Sequence, residues 1–437
     1  MNKILEQVSS EQKINRPSDT PVGFTNALRY GNVLNLLEQQ RVNMNDGDIY
    51  MSVLEATHDK MNTLFGNTKE LAVQASNDTV NHEQRLITNM DVRQNLELLV
   101  SMAQTKHKDG FIFSGKWTNQ PPYEIKEGQA VYYQQEDIPP TIQVANPDYD
   151  PDLPVDPTTN PQTIPGPNPN LPPWNDTPPF SNENAITIRL LDGNYHDPNL
   201  SITPGNAAYT NDERNPIVQR IIPGSVSGLA GLNEKPHFNE DGVPDYDYEI
   251  DYVNGTLTLL SDKAKAAFFN ETTGEAKPPE ELPNMSFEYV YRNSIDMTGE
   301  IYREIDNGIT MKINTNPDDL FGRGGLNDTD SFKEIISLMQ GLWYNDQPQI
   351  SKGIETVDAA KERNLEQQAV EGAKLKRLEI VFDRNKDLEI DNTRAHSELM
   401  DVNFEEIMTQ LMLAQAVYDA SLYATSSVLN RSLMDYL

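Results

Sequence analysis

The chain has 437 residues, room for about three domains at roughly 150 residues each and ample for a packed core. It carries 35 Lys and Arg against 67 Asp and Glu, a formal charge of −32 at pH 7, which repels phosphate backbones and anionic lipid surfaces and argues against a nucleic-acid partner. The absence of cysteine excludes disulfide staples, thiol catalysis and thiolate zinc sites.

The first twelve residues hold no apolar core of signal-peptide length, so no cleaved signal peptide is expected. Leu54, Thr57, Met61, Leu64, Thr68, Leu71 and Ala75 then alternate in steps of three and four, an a/d seam that predicts a helix over Met44–Ser76. Asp78 or Thr79 is placed to cap a second helix with Glu83 in its first turn. In that helix Val92, Leu96, Leu99 and Ala103 form the apolar stripe, and Asp109-Gly110 is expected to end it.

Residues 139–179 hold 14 of the 29 prolines, which rules out helix or a central strand there and predicts a semi-rigid extended segment or a long loop. From about 180 to 325 the pattern turns β-like. Asp245–Ser261 reads as a hairpin around a two-residue turn at Asn254-Gly255, with Tyr252 facing Leu257 and Ile250 facing Leu259. Phe287, Tyr289 and Tyr291 alternate in a candidate third strand. Ile186, Ile188 and Leu190 suggest another, and so do Ile309, Met311 and Ile313.

The C-terminal part returns to helix. Leu375, Leu378 and Phe382 form one stripe. After a charged stretch Ile407, Leu411, Ala414, Tyr418, Ser421, Thr425 and Val428 form another, with Leu413, Val417, Ala420 and Ala424 beside it. Apolar on more than one face, this last helix is either the centre of its own bundle or buried between subunits. Its Gln, Ser and Thr content argues against a membrane span.

No motif with chemistry survives inspection. Gly224-Ser225-Val226-Ser227-Gly228 resembles a nucleophile elbow but has Val at its centre, so a glycine-rich loop is expected. The six histidines, at 58, 82, 107, 196, 237 and 396, form no close pair, and Gly322-Arg323-Gly324-Gly325 lacks the lysine of a phosphate-binding loop. Asp383–Arg394 opens like a calcium loop but has Leu388 for the required Gly and Arg394 for the required Glu; a charged helix face is expected instead. Asn239, Asp241, Asp245, Asp247, Glu249 and Asp251 cluster near Gly242, and the simpler reading is the solvated outer face of a strand. Neither a cofactor nor a tight divalent site nor an enzyme activity is expected.

Other segments carry a resemblance. Lys13–Val22 (KINRPSDTPV) follows Ser9-Ser10; Asp109–Gly115 reads DGFIFSG; Asn307–Asn314 (NGITMKIN) precedes Leu320-Phe321-Gly322; Asn403-Phe404-Glu405-Glu406 leads into the last helix, which closes on Ser432–Leu437. In that order, over about residues 1–115 and 300–437, the chain resembles the flagellin superfamily in its hook-associated protein 3 branch. Residues 120–300 match no pattern of that family. Two departures from that family stand out: only 14 residues precede Asn15 where the family has a longer helix, so part of the inner helix is expected to be missing from this sequence, and Glu11 stands where the family commonly has Gly after the Ser pair.

The resemblance implies an α+β protein, a long antiparallel helical bundle built from both termini with an inserted, mainly β middle. On that reading residues 1–43 are an inner N-terminal segment and 44–115 the first half of the bundle. Residues 116–325 are the insert, 326–404 the second half of the bundle, and 405–437 the inner C-terminal helix. The implied function is structural: export through the flagellar type III channel, then assembly into a ring-like layer of copies joining the hook, through hook-associated protein 1, to flagellin. An export chaperone is a further implied partner. Ile407, Leu411, Ala414, Tyr418, Thr425 and Val428 are the candidate subunit-packing residues. The alternative is a coiled-coil-stalked adhesin whose Tyr246, Tyr248, Tyr252, Phe287, Tyr289 and Tyr291 stack on glycan.

Overall fold

The computed structural model describes residues 2–77, 79–130, 141–145, 163–167, 186–190, 219–236, 245–270, 277, 281–293, 297, 299–322 and 330–434. Among them the chain is α+β and divides into two compact units. A terminal unit gathers residues 1–50, 302–312 and 373–437, and a larger unit gathers 51–301 and 313–372. Two helices contribute to both, α2 (Pro21–Ala75) and α7 (Gln347–Met400).

In the terminal unit α1 (Asn2–Ser10) packs on α8 (Phe404–Met434). The turn from α1 to α2 is made by the Asn-Arg-Pro-Ser-Asp segment. Asp19 Oδ2 accepts from the amides of Asn15 and Arg16 at 3.3 and 3.1 Å, and Lys3 reaches the other oxygen at 3.0 Å, holding the Asp19 carboxyl below its ordinary range. Helix α2 begins at Pro21, well before the expected start at Met44. Proline suits a first helical position. Gly31, Gly47 and the polar run 45–48 cost propensity, about 1 kcal/mol per Gly. They do not break the helix, because Leu37, Met44 and Met51 stay buried a heptad apart. Helix α7 runs antiparallel to α2, with Asn385 donating to Gln40 at 3.1 Å where both are buried. A hairpin, β10 (Tyr302–Asp306) and β11 (Ile309–Lys312), is held through Arg303 to Asp46 at 3.1 Å and through an Arg384–Asp306 ion pair.

In the larger unit the expected seam is the observed core. Leu54, Met61, Leu64, Thr68 and Ala75 are buried, with Ala72 replacing the half-buried Leu71. A polar layer sets the register of α2 on α7. His58 Nδ1 lies 2.6 Å from Asn364 Oδ1, Asn364 Nδ2 donates to the His58 carbonyl (2.9 Å) and to Asn62 (2.7 Å), and Asn62 donates to Gln368 (2.7 Å). Helix α3 (His82–Ala103) buries Val92, Leu96, Leu99 and Ala103 as expected. Its cap is Asn81 rather than Thr79, while Asp78 lies outside the described residues. Gln84 N–H donates to Asn81 Oδ1 at 2.9 Å, and Asn81 N–H donates to Gln84 Oε1 at 3.1 Å. The helix also ends at Ala103, six residues before the expected Asp109-Gly110, which lies at the turn between β1 (Lys106–His107) and β2 (Gly110–Phe111).

The strands are short. β3 (Tyr123–Gln129) pairs antiparallel with β9 (Ser286–Arg292). Inside the Pro-rich stretch β4 (Thr141–Ala145) pairs with β5 (Thr163–Pro167). β6 (Ile186–Arg189), β8 (Thr256–Leu259) and β7 (Tyr248–Asp251) form a three-stranded sheet in that order, so β6 and not the 287–291 segment is its third strand. The β7–β8 register is offset by two from expectation: Ile250 faces Leu257. The cause is Asp251, whose Oδ1 accepts from the amides of Val253 and Asn254 at 3.1 and 3.2 Å and widens the turn to four residues. An even offset leaves every side chain on its expected face. Helix α4 (Asp262–Phe268) follows β8, and α5 (Pro317–Phe321) precedes α6 (Ser331–Trp343), whose cap Asp330 bonds the buried Arg220.

Candidate functional site

Among the described residues, the sequence segments that could suggest chemistry do structural work. Gly224–Gly228 is a loop: Ser225 donates to the Ile222 carbonyl at 2.6 Å, and a Cβ on Gly228 would stand 1.9 Å from the Asn284 carbonyl oxygen. Asp383–Arg394 lies inside α7, where no loop can wrap a cation. Asn239, Asp241 and Gly242 fall outside the described residues. The described carboxylates of that run are engaged rather than bare. Asp247 is buried and accepts from Ser261 (2.5 Å) and from the Asn233 amide (2.9 Å), Lys235 bonds Glu249 at 3.2 Å, and Asp251 makes the turn. Among the described residues no group of three or more His, Cys, Asp or Glu is placed to hold a metal ion, and no helix is long and apolar enough to cross a membrane. Of the aromatic residues weighed for sugar stacking, Tyr248, Tyr252, Phe287 and Tyr289 are buried.

The other short segments build joints. Phe113 and Phe321 meet edge-on at 5.8 Å between ring centroids, and Tyr123 and Phe332 complete the cluster. Gly115 has φ +57°, and a Cβ there would stand 2.1 Å from the Met297 carbonyl oxygen. Asn314 accepts from the Ile301 amide and donates to the Gly299 carbonyl, both at 2.8 Å. Asn403 caps α8, its Oδ1 accepting from the Glu405 amide at 3.1 Å. The chain crosses between α1 and α2 beside the start of α8, where Lys13 N–H donates to the Met400 carbonyl and Val402 N–H to the Glu11 carbonyl. Glu11 has φ +57°, a conformation that glycine adopts without cost.

What remains is a surface. Among the described side chains of α8 only those of the first turns are covered: Ile407 is buried and Leu411 and Ala414 are half-buried, whereas Tyr418 and Thr425 are exposed. The Val428 side chain lies outside the described residues. The six candidate packing residues therefore do not form one free stripe, because the chain itself covers the N-terminal end of it. Past those turns the described part of α8 is open to water on every side. Met412 is 65 %, Leu413 69 %, Val417 59 %, Leu422 53 % and Tyr423 79 % exposed. In the same unit α2 exposes Val22, Leu28, Val42 and Ile49, and α7 exposes Ile380 and Ile390. Single exposed apolar side chains are ordinary, but a whole helix of them is the mark of a surface meant to be covered. Leu413 and Val417 were visible in the sequence as neighbours of the seam. That they, rather than Ile407, face water depends on where α1 sits.

Residues 1–118 match the family model described as the bacterial flagellin N-terminal helical region. Over 130 residues the chain is 25 % identical to the flagellar hook-associated protein 3 of Escherichia coli, a stretch covering 30 % of this chain and 41 % of that protein. Among solved structures it is similar to flagellar hook-associated protein 3 of Legionella pneumophila, with 13 % identity and a TM-score of 0.36 over 85 % of this chain and 98 % of that one. It is also similar to FlgL of Xanthomonas campestris, with 13 % identity and a TM-score of 0.34 over 84 % and 99 %. The matched region contains α1, all of α2 and α3 and the Asp109–Gly115 segment, and so contributes to both units.

Proposed function

We propose that this chain is a structural component of the bacterial flagellum that joins the hook, through hook-associated protein 1, to the flagellin filament. The observation that carries the reading is the flagellin-type N-terminal region in one chain with a C-terminal helix whose apolar face is open to water. Copies of the chain form a ring-like layer by burying that face, with Leu411, Ala414, Tyr418, Thr425 and Val428 beside it and Ile407 anchoring the helix base. Hook-associated protein 1 and flagellin contact the two sides of the layer. Export through the flagellar type III channel, with the help of an export chaperone, delivers the chain to the outside. A joining role of this kind requires no catalytic chemistry.

The test is reconstitution. Isolated hooks bearing hook-associated protein 1 are incubated with purified chain and then with flagellin monomers. Filaments are expected to grow only when the chain is added first. Equal growth without it would end the proposal.

A further inference from the structure

β7 is an edge strand, and its outer edge is closed by side chains as well as backbone. Tyr248, Ile250 and Tyr252 turn their N–H and C=O groups outward. Tyr248 is met by the backbone of Asn233 and Lys235. Tyr252 N–H donates to Gln340 Oε1 on α6 at 3.1 Å. Ile250 is met only by the Tyr344 side chain, just past the end of α6, among the contacts of the described residues. Its N–H donates to Tyr344 Oη at 2.8 Å, and its carbonyl oxygen lies 2.8 Å from the same atom.

Tyr344 Oη has a third neighbour, Oε1 of Glu234, at 3.0 Å. A phenol carries one proton. It can donate to the Ile250 carbonyl or to Glu234, but not to both at once. The same Oε1 already accepts from Tyr252 Oη at 2.5 Å and Trp343 Nε1 at 3.2 Å.

We propose that Glu234 is a proton-gated latch on the β7 edge. Protonated, Glu234 donates its own O–H to Tyr344 Oη; the Tyr344 proton is then free for the Ile250 carbonyl, and every bond is made. Ionised, Glu234 accepts the Tyr344 O–H hydrogen bond, with the proton still on the phenol, and the buried Ile250 carbonyl loses that donor, which is costly away from water. Burial pushes the Glu234 carboxyl up and outweighs the three donors that favour its charge. Around it stand Glu249, which repels the charged form; Lys235, bonded to both Glu249 oxygens at 3.2 Å and 6.0 Å from the centre of the Tyr344 ring; and the phenols of Tyr248, Tyr252 and Tyr344. A carboxyl whose folded pKa is raised contributes stability that is full below its unfolded pKa and is lost as pH rises through the folded one. The latch is therefore closed below the ordinary carboxylate range and loosens as pH rises through the raised pKa of Glu234.

The experiment uses the full chain. Infrared difference spectra between about pH 5 and about pH 8, taken for wild type and Glu234→Gln, read the protonated carboxyl directly. A carboxylic-acid band should be lost on raising the pH of wild type and be missing from the variant's difference spectrum. Amide exchange at Ile250, corrected for the intrinsic pH dependence, should speed up over the same range in wild type and stay flat in Glu234→Gln, whose amide N–H mimics the protonated acid. If that variant does not fold, Tyr344→Phe serves: without the shared proton, Ile250 exchange should be fast at both pH values. A Glu234 band that titrates in the ordinary carboxylate range, or an Ile250 amide whose protection ignores pH in wild type, overturns the latch.

Discussion

Replacing Leu413, Val417 and Leu422 together by Gln separates the two roles α8 could play. Glutamine keeps helix propensity close to that of leucine, so the helix itself should persist. The three side chains are 69, 59 and 53 % exposed in the isolated chain, so each has more than half of its burial still to gain. At roughly 1.5–3 kcal/mol for a fully buried Leu or Val, the gain left is about 1–2 kcal/mol each. Together that is about 3–6 kcal/mol at an interface, or roughly a hundred- to ten-thousand-fold in affinity. In the monomer the same changes should each cost no more than about 0.5 kcal/mol, as for surface sites. Sedimentation with hooks bearing hook-associated protein 1 measures assembly, and circular dichroism during heating measures the fold. The expected result is lost assembly with an unchanged unfolding midpoint. A triple variant that unfolds early, or that assembles as well as wild type, refutes the reasoning, because the face would then be either part of the subunit core or irrelevant.

Glu11→Gly should stabilise the chain by about 1 kcal/mol in urea titrations, since a left-handed backbone strains a side chain but not glycine. Gly228→Ala should be severe, more than about 3 kcal/mol, whereas Gly231→Ala, with φ +84° but open space, should cost only about 1 kcal/mol; equal losses would mean that the Asn284 contact yields. Burial holds the His58 imidazole below its ordinary pKa, despite the bond to Asn364. A histidine lowered in this way contributes stability that is full above its unfolded value of 6.5 and is lost as pH falls toward the folded one. Unfolding midpoints of wild type should therefore drop faster than those of His58→Gln on acidification below about 6.5, and parallel curves would contradict the assignment.

The helices were legible because their burial is periodic. Leu54, Met61, Leu64, Val92, Leu96 and Leu99 occupy in the structure the faces their spacing assigns to them. Boundaries were less legible where two residues of similar type compete. Asp78, Thr79 and Asn81 can all cap a helix, and the choice fell to Asn81 through Gln84, three positions on. The start of α2 was missed because glycine and a polar run masked a stripe whose buried members are few. β3 was missed as well, since its charged alternation, Glu124, Lys126 and Glu127, reads as a loop until β9 lies beside it.

The sequence alone determined the α+β class, the two helical ends, the pairing faces and the family resemblance, because periodicity and short local segments are properties of neighbouring residues. Tertiary structure decided which apolar faces stay open. Ile407 and Leu413 lie six positions apart on one helix and look alike in sequence; Ile407 is buried and Leu413 faces water. It also decided which carboxylates stay solvated and which pack among aromatic rings, since the half-buried Glu234 meets Tyr252, Trp343 and Tyr344 only when α6 packs on β7. Burial is a relation between segments far apart in the chain, and no spacing within one segment encodes it.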